Sequence, residues 1–274
     1  MENIKLNILP VPTFSSLGVN FAEREIEISW PEHISVGANE QKQIIRYIDS
    51  ESDAFTALDL NIESGADVKL VQVFERTAPL VSKLDIALGD NAKLDLVQIY
   101  IGGSDTVSEI AAKLDGRKAV FNADIAMKLD GKDKIDLNLV SEQYGKKTVS
   151  EIKLGAVLGG EAKKTFKGTI DFKEGAVGAK GSEHEDALLL SEDVVSKTVP
   201  VILCAEEDVE GNHGATVGRL DESHVFYLRS RGIDEKKIYE LMARSKLKQA
   251  IVKTDDEQTK SRIYNALGWG ERDE

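Results

Sequence analysis

From about residue 20 to residue 210 the hydrophobic pattern repeats every second residue, and this narrows the choice of fold more than any other feature. EREIEIS (23–29), VKLVQVF (68–74), AKLDLVQIYI (92–101) and KIDLNLV (134–140) all alternate. Alternation places apolar side chains on one face, which describes half-buried strands. Between the runs stand Gly89-Asp90, Asp115-Gly116, Asp130-Gly131 and Gly159-Gly160. Such pairs supply the positive φ that tight turns need. A helical period is discernible only around 38–48.

The strand-sized units echo one another. LDIALGDNAKLDLV (84–97) reads like ADIAMKLDGKDKIDLNLV (123–140): a strand, a glycine turn, then Leu or Ile alternating with Asp. SEIAAKLDGRKAVFNA (108–123) and SEIKLGAVLGGEAKKTFKG (150–168) are looser copies. Imperfect repeats of this size suit stacked rungs, as in a β-helix. They also suit an antiparallel sandwich, because two-residue turns favour hairpins. Periodicity alone leaves both open.

After Leu220 the period becomes helical. Asp221 is placed as an N-cap, with Leu220 and Val225 as a hydrophobic staple, and Gly232 as the stop. Asp234 caps a second helix, with Ile233 and Ile238 as its staple. TDDE (254–257) reads as a capping box for a third, ending at Gly268. The second helix carries two apolar stripes, one of Ile238, Leu241 and Met242, the other of Tyr239, Ala243, Leu247 and Ala250. One stripe can pack on the body, and the other against the third helix or a partner.

With 274 residues, 41% of them hydrophobic, the chain can build one large domain or two small ones. Thirty-five basic against 48 acidic side chains leave a net charge of −13. That argues against a general nucleic-acid binder or a protein seated on anionic lipid. The charge is uneven: residues 221–274 hold 11 basic and 11 acidic side chains, so the deficit lies in 1–220. A single cysteine, Cys204, excludes an internal disulfide. The opening MENIKLNILPVPTF lacks the pattern of a secretory leader, and no run is long enough for a membrane span. A cytoplasmic protein is expected.

The usual catalytic motifs are missing. There is no GxxxxGK[ST], CxxC, HExxH or GxSxG. His213, in GNHGATVG, has only small neighbours and precedes the first helix. It reads either as a polar turn or cap residue or as a metal ligand to which a cluster or second chain comes close. SEHEDALLLSED (182–193) sets His184, Glu185 and Asp186 in a row, as a solvated turn or as ligands. In a strand, His184 and Asp186 would share a face opposite Glu185. Cys204, within VPVILCAEEDV, reads as a small buried hydrophobe. His33 and His224 suggest nothing beyond surface and helix roles.

HGATVGRLDESHVFYLRSRGI (213–233) resembles the C-terminal signature of the SufB/SufD family of iron–sulfur cluster assembly proteins. The upstream HEDALLLSED, VP and CAEEDVEGNHGAT follow the same order, and the resemblance covers about residues 20–250. It implies a right-handed parallel β-helix core (1–220) with a helical C-terminal subdomain (221–274), which chooses the solenoid of the two folds. It also implies a scaffold rather than an enzyme, with ATP hydrolysis left to a SufC-type ATPase. The other partners would be a SufB-type chain or a second copy, and a cysteine desulfurase system as sulfur donor. A transient iron–sulfur cluster would form at the dimer interface.

The chain looks SufD-like at His213. SufB-type chains carry Cys-Asp-Ser and a glutamate where this chain has Glu185-Asp186-Ala187 and Gly214. The cysteine that SufD chains often carry two residues before the histidine is here Gly211. Strands begin near residue 21, so the chain reads as a short member without the N-terminal helical region. By the resemblance, the cluster site would draw on His213 and Glu185. Tyr239, Ala243, Arg244, Lys246 and Leu247 would face the ATPase. Two other readings remain: an adaptor for the ATPase without cluster chemistry, and a β-helix carbohydrate lyase or hydrolase using strand aspartates such as Asp85, Asp95 and Asp136. Aromatics at 6% and the alternation of these aspartates with Leu or Ile speak against the latter.

Overall fold

A computed structural model describes residues 2–49 and 54–270; the last four residues of the expected helical subdomain lie outside them. Two short strands, β1 (Glu2–Leu6) and β2 (Ala22–Ile26), pair antiparallel near the N-terminus. The rest of the β structure is two seven-stranded parallel sheets through which the chain passes alternately. One contains β3 (Glu32–Val36), β5 (Phe55–Ile62), β7 (Leu80–Leu88), β9 (Thr106–Leu114), β11 (Lys134–Gln143), β13 (Lys163–Phe172) and β15 (Val195–Cys204). The other contains β4 (Gln41–Asp49), β6 (Asp67–Arg76), β8 (Lys93–Gly102), β10 (Val120–Leu129), β12 (Val149–Leu158), β14 (Ala179–Leu189) and β16 (Val209–Gly218). The result is a β-solenoid of about 6 turns. Helices α1 (Glu222–Ser230), α2 (Glu235–Val252) and α3 (Glu257–Ala266) follow. Among the described residues no helix is long and apolar enough to cross a membrane.

The corners decide that the fold is a solenoid and not a stack of hairpins. Asn39, Asn91, Lys118 and Lys147 all take left-handed backbone conformations, with Gly65 and Gly178 at the equivalent corners. Each donates its N–H to a carbonyl of the next rung, as Lys118 does to Lys146 at 2.9 Å. Gly89, Gly116 and Gly145 stand two residues before such positions and serve another purpose. A Cβ on Gly116 would lie 1.9 Å from the carbonyl carbon of Gly89, and one on Gly145 2.1 Å from the oxygen of Gly116. These glycines let backbones stack closely; positive φ belongs to the residue two places on.

Alternate residues fill one continuous apolar interior between the sheets. The outer face of the sheet ending in β15 is partly covered by the N-terminal segment: Leu6 and Ala22 cluster with Phe55, Val81 and Val107. Lys167 anchors that segment, donating to the Asn7 carbonyl at 2.9 Å and pairing with Asp136 at 2.9 Å. The outer face of the other sheet is covered by α2 and α3, through Ala243, Leu247, Ala250, Ile251 and Ile263. Gly155 lets α2 approach; a Cβ there would stand 2.1 Å from the Lys246 carbonyl oxygen.

Several expectations are corrected. Residues 41–49 form a strand, because each pairs in register with β6. Strands begin at Glu2 rather than near residue 21. Asp221 and Asp234 cap their helices as read, but the third N-cap is Asp256 and not Thr254. Asp256 accepts from the Thr259 N–H at 2.7 Å, while the Thr254 hydroxyl closes the preceding helix by donating to Ile251.

Candidate functional site

The solenoid ends with β15 and β16, each paired to a single strand, so both present an unpaired edge. His213 is central in β16 and exposed, rather than in a turn before the helix. Parallel register sets it beside Glu183, as it sets His184 beside Gly214 and Glu185 beside Ala215. Within β14 the burial alternates: Glu183 and Glu185 point inward, while His184 is exposed. His213 therefore occupies an inward-facing position of the last rung, which no further rung covers. His184 is on the outward face, where a Cβ on Gly214 would stand 3.4 Å from its Nδ1.

Glu185 is fully buried. It forms an ion pair with Lys164, also fully buried, and accepts from the Thr198 hydroxyl at 2.6 Å. The structure therefore spends Glu185 inside the solenoid and does not bring it to His213, contrary to the expectation that the two share a site. The acid beside His213 is Glu183, which the sequence reading passed over. The available signal was its spacing: Glu183 and Glu185 share strand parity, so if one faces inward, both do. Glu183 is only 4% exposed, and among the described residues it has no hydrogen bond or ion pair. Burial, reinforced by the neighbouring Glu185 charge and opposed by Lys164, pushes its pKa up to about 7. Burial likewise lowers the Lys164 pKa, against the pull of Glu185. Opposite Glu183 stands Gly168 of β13, where a Cβ would lie 2.0 Å from the Glu183 Oε2.

Cys204 ends β15 and is exposed, not buried as expected. Its inward-parity position, beside Phe172 in the register, lies on the uncovered last rung. Among the described residues no three His, Cys, Asp or Glu side chains gather as a metal cluster.

The residues expected to face a partner are placed differently. Ala243 and Leu247 are buried against the solenoid. The expectation that they form a docking face is corrected, because their stripe supplies the packing of α2. Lys246 holds both carboxylate oxygens of Asp186 at 2.7 Å. Arg244 donates to Glu240 at 2.7 Å and lies 5.3 Å from the Trp269 ring centre. Tyr239 is partly exposed. The exposed apolar side chains of the helices are Phe226, Tyr227, Leu241 and Val252. The strand aspartates are outward-facing positions: Asp85 is exposed, Asp95 pairs with Lys93, and Asp136 with Lys167.

This is a β-solenoid protein, with helices along one wall and the buried Lys164, Glu183 and Glu185 near its open end. Residues 26–246 match the SufBD core domain of SUF system FeS cluster assembly, and the chain belongs to that family. It is similar to the iron–sulfur cluster assembly protein SufD of Bacillus subtilis, 25% identical over 187 residues, covering 68% of this chain and 43% of the relative. Against SufD of Escherichia coli it is 22% identical over 245 residues, covering 86% and 57%. The chloroplastic SufBD family protein ABCI8 of Arabidopsis thaliana is 23% identical over 177 residues, covering 65% and 32%. The chain thus spans about half the length of the curated relatives it matches.

Proposed function

We propose that the chain is a cytoplasmic scaffold subunit of a SUF assembly complex. It docks a SufC-type ATPase, which hydrolyses the ATP, and helps form a nascent iron–sulfur cluster at a dimer interface. Sulfur comes from a cysteine desulfurase system. The observation that carries this reading is the position of His213, exposed on the last strand of the solenoid, whose outer edge is unpaired, within the stretch that matches the family. An unpaired edge invites a second chain, either a SufB-type subunit or another copy. A neutral imidazole is a good iron ligand. The ATPase docks on residues 221–270 through exposed Phe226, Tyr227 and Leu241, with Tyr239 at the margin.

Anaerobic co-expression with a SufC-type ATPase, with and without a SufB-type chain, tests the reading by co-purification and bound iron and sulfide. Iron and sulfide with the ATPase alone identify a self-sufficient homodimer. Their appearance only with the SufB-type chain makes this protein the histidine-contributing half of a heterodimer. ATPase binding without iron in either case reduces it to an adaptor, and no ATPase binding refutes the docking assignment. His213→Ala leaves folding and ATPase binding intact, since the side chain is exposed, and lowers cluster yield.

A further inference from the structure

We propose that Glu183, not Glu185, is the carboxylate that joins His213, the two forming a two-ligand site for ferrous iron at the open end of the solenoid. This rests on the iron–sulfur reading above and adds a ligand to it. Glu183 and His213 occupy paired, like-facing positions on adjacent rungs, and neighbouring strands in a sheet are about 4.8 Å apart. Two side chains so placed can hold one ion between them.

The alternative acid is already engaged. Lys164 and Thr198 both bind Glu185, and moving it would leave a buried ammonium without its counter-ion. Glu183 has no such commitment. It is a carboxyl group 4% exposed, without a hydrogen bond or ion pair among the described residues. Gly168 makes room for the Glu183 carboxylate on the facing sheet, where a Cβ would stand 2.0 Å from its Oε2; to share an ion with His213 the side chain turns from there toward the last rung. Above Glu183 the last rung has no further strand, so an ion enters from that side. One imidazole nitrogen and one carboxylate are donors suited to a divalent first-row metal. The remaining positions stay free for sulfide, water or ligands of the facing chain.

The test is an anaerobic Fe2+ titration of the purified complex with its ATPase, followed by equilibrium dialysis, for the wild type, Glu183→Gln and His213→Ala. Gln matches Glu in shape and removes a buried ionisable group, so the variant folds; its melting curve verifies this. The expected result is a loss of Fe2+ affinity of about tenfold or more in each variant, at least what the loss of a supporting ligand contact costs. Wild-type affinity in folded Glu183→Gln overturns the proposal, as does a wild-type complex that binds no Fe2+. The parallel cluster-yield assay separates the two ideas. If Glu183→Gln binds Fe2+ normally while His213→Ala loses yield, the carboxylate assignment falls and the scaffold reading stands. If His213→Ala also gives full yield, the histidine is out of the site and both fall.

Discussion

Replacing Gly155 with alanine tests how the helices are held on the solenoid. Gly155 lies on the outer face of β12, under α2. An added Cβ would stand 2.1 Å from the Lys246 carbonyl oxygen and 3.1 Å from its carbon. Ordinary contact begins at 3.4 Å, so α2 must retreat by about 1.3 Å. Both sides are backbone, and no rotamer change relieves the clash. A gap of that size forfeits a large share of the dispersion energy along the seam of Val97, Ala126, Val157, Leu247 and Ile251. Overpacking of this kind costs about 1–3 kcal/mol, and the backbone clash puts Gly155→Ala toward the upper end. The cost falls on docking of the helices rather than on the strand ladder, because Gly155 faces out of the solenoid. Hydrogen exchange read by mass spectrometry should show α2 exchanging roughly 5–150-fold faster, with β8 and β10 unchanged. Gly218→Ala, whose Cβ would meet nothing within 4 Å, is the neutral control. Wild-type exchange in α2 of Gly155→Ala would refute the claim that this close approach carries the docking.

Three further outcomes are expected. Lys164→Met leaves Glu185 buried without its counter-ion and should destabilise the solenoid by about 3–5 kcal/mol in urea unfolding; a loss below 1 kcal/mol would mean the pair contributes little. Glu183 has a folded-state pKa of about 7, above its ordinary 4.5, so between those values the folded protein binds more protons than the unfolded chain. Its contribution to stability therefore falls as pH rises through that window, by about 3 kcal/mol in total. The charged groups around it are Glu185 and Lys164, with His213 on the rung above. Glu183→Gln should flatten that part of the pH profile and stabilise the protein at pH 8; an unchanged slope in urea midpoints would exclude Glu183 as its source. Asp234→Ala removes the side chain that accepts from the Lys236 N–H at 3.0 Å and should cost about 1 kcal/mol, seen as faster exchange in the first turn of α2.

What the sequence determines by itself is local. A period of two is a property of neighbours, so the strands were legible, as were the caps at Asp221 and Asp234 and the stops at Gly232 and Gly268. The cap of α3 was misread because both Thr254 and Asp256 can accept from a helix N–H, and only the path of the chain out of α2 chooses between them. The tail signature was legible as family resemblance, since a long, unusual string needs no coordinates to be matched. Tertiary structure decided whatever depends on the next rung. Gly89-Asp90 and Asp115-Gly116 serve hairpins and solenoid corners equally well as sequence; stacking, with Gly116 pressed on Gly89, makes them corners. The two stripes of α2 were both visible, yet the solenoid wall determined that Ala243 and Leu247 would be covered and Leu241 left in solvent. Glu183 and Glu185 are equivalent by parity within one strand. Lys164 on the facing sheet takes one of them, and His213, a full rung later in the chain, stands beside the other. Those relations join residues distant in sequence through strand register, which only the folded solenoid supplies.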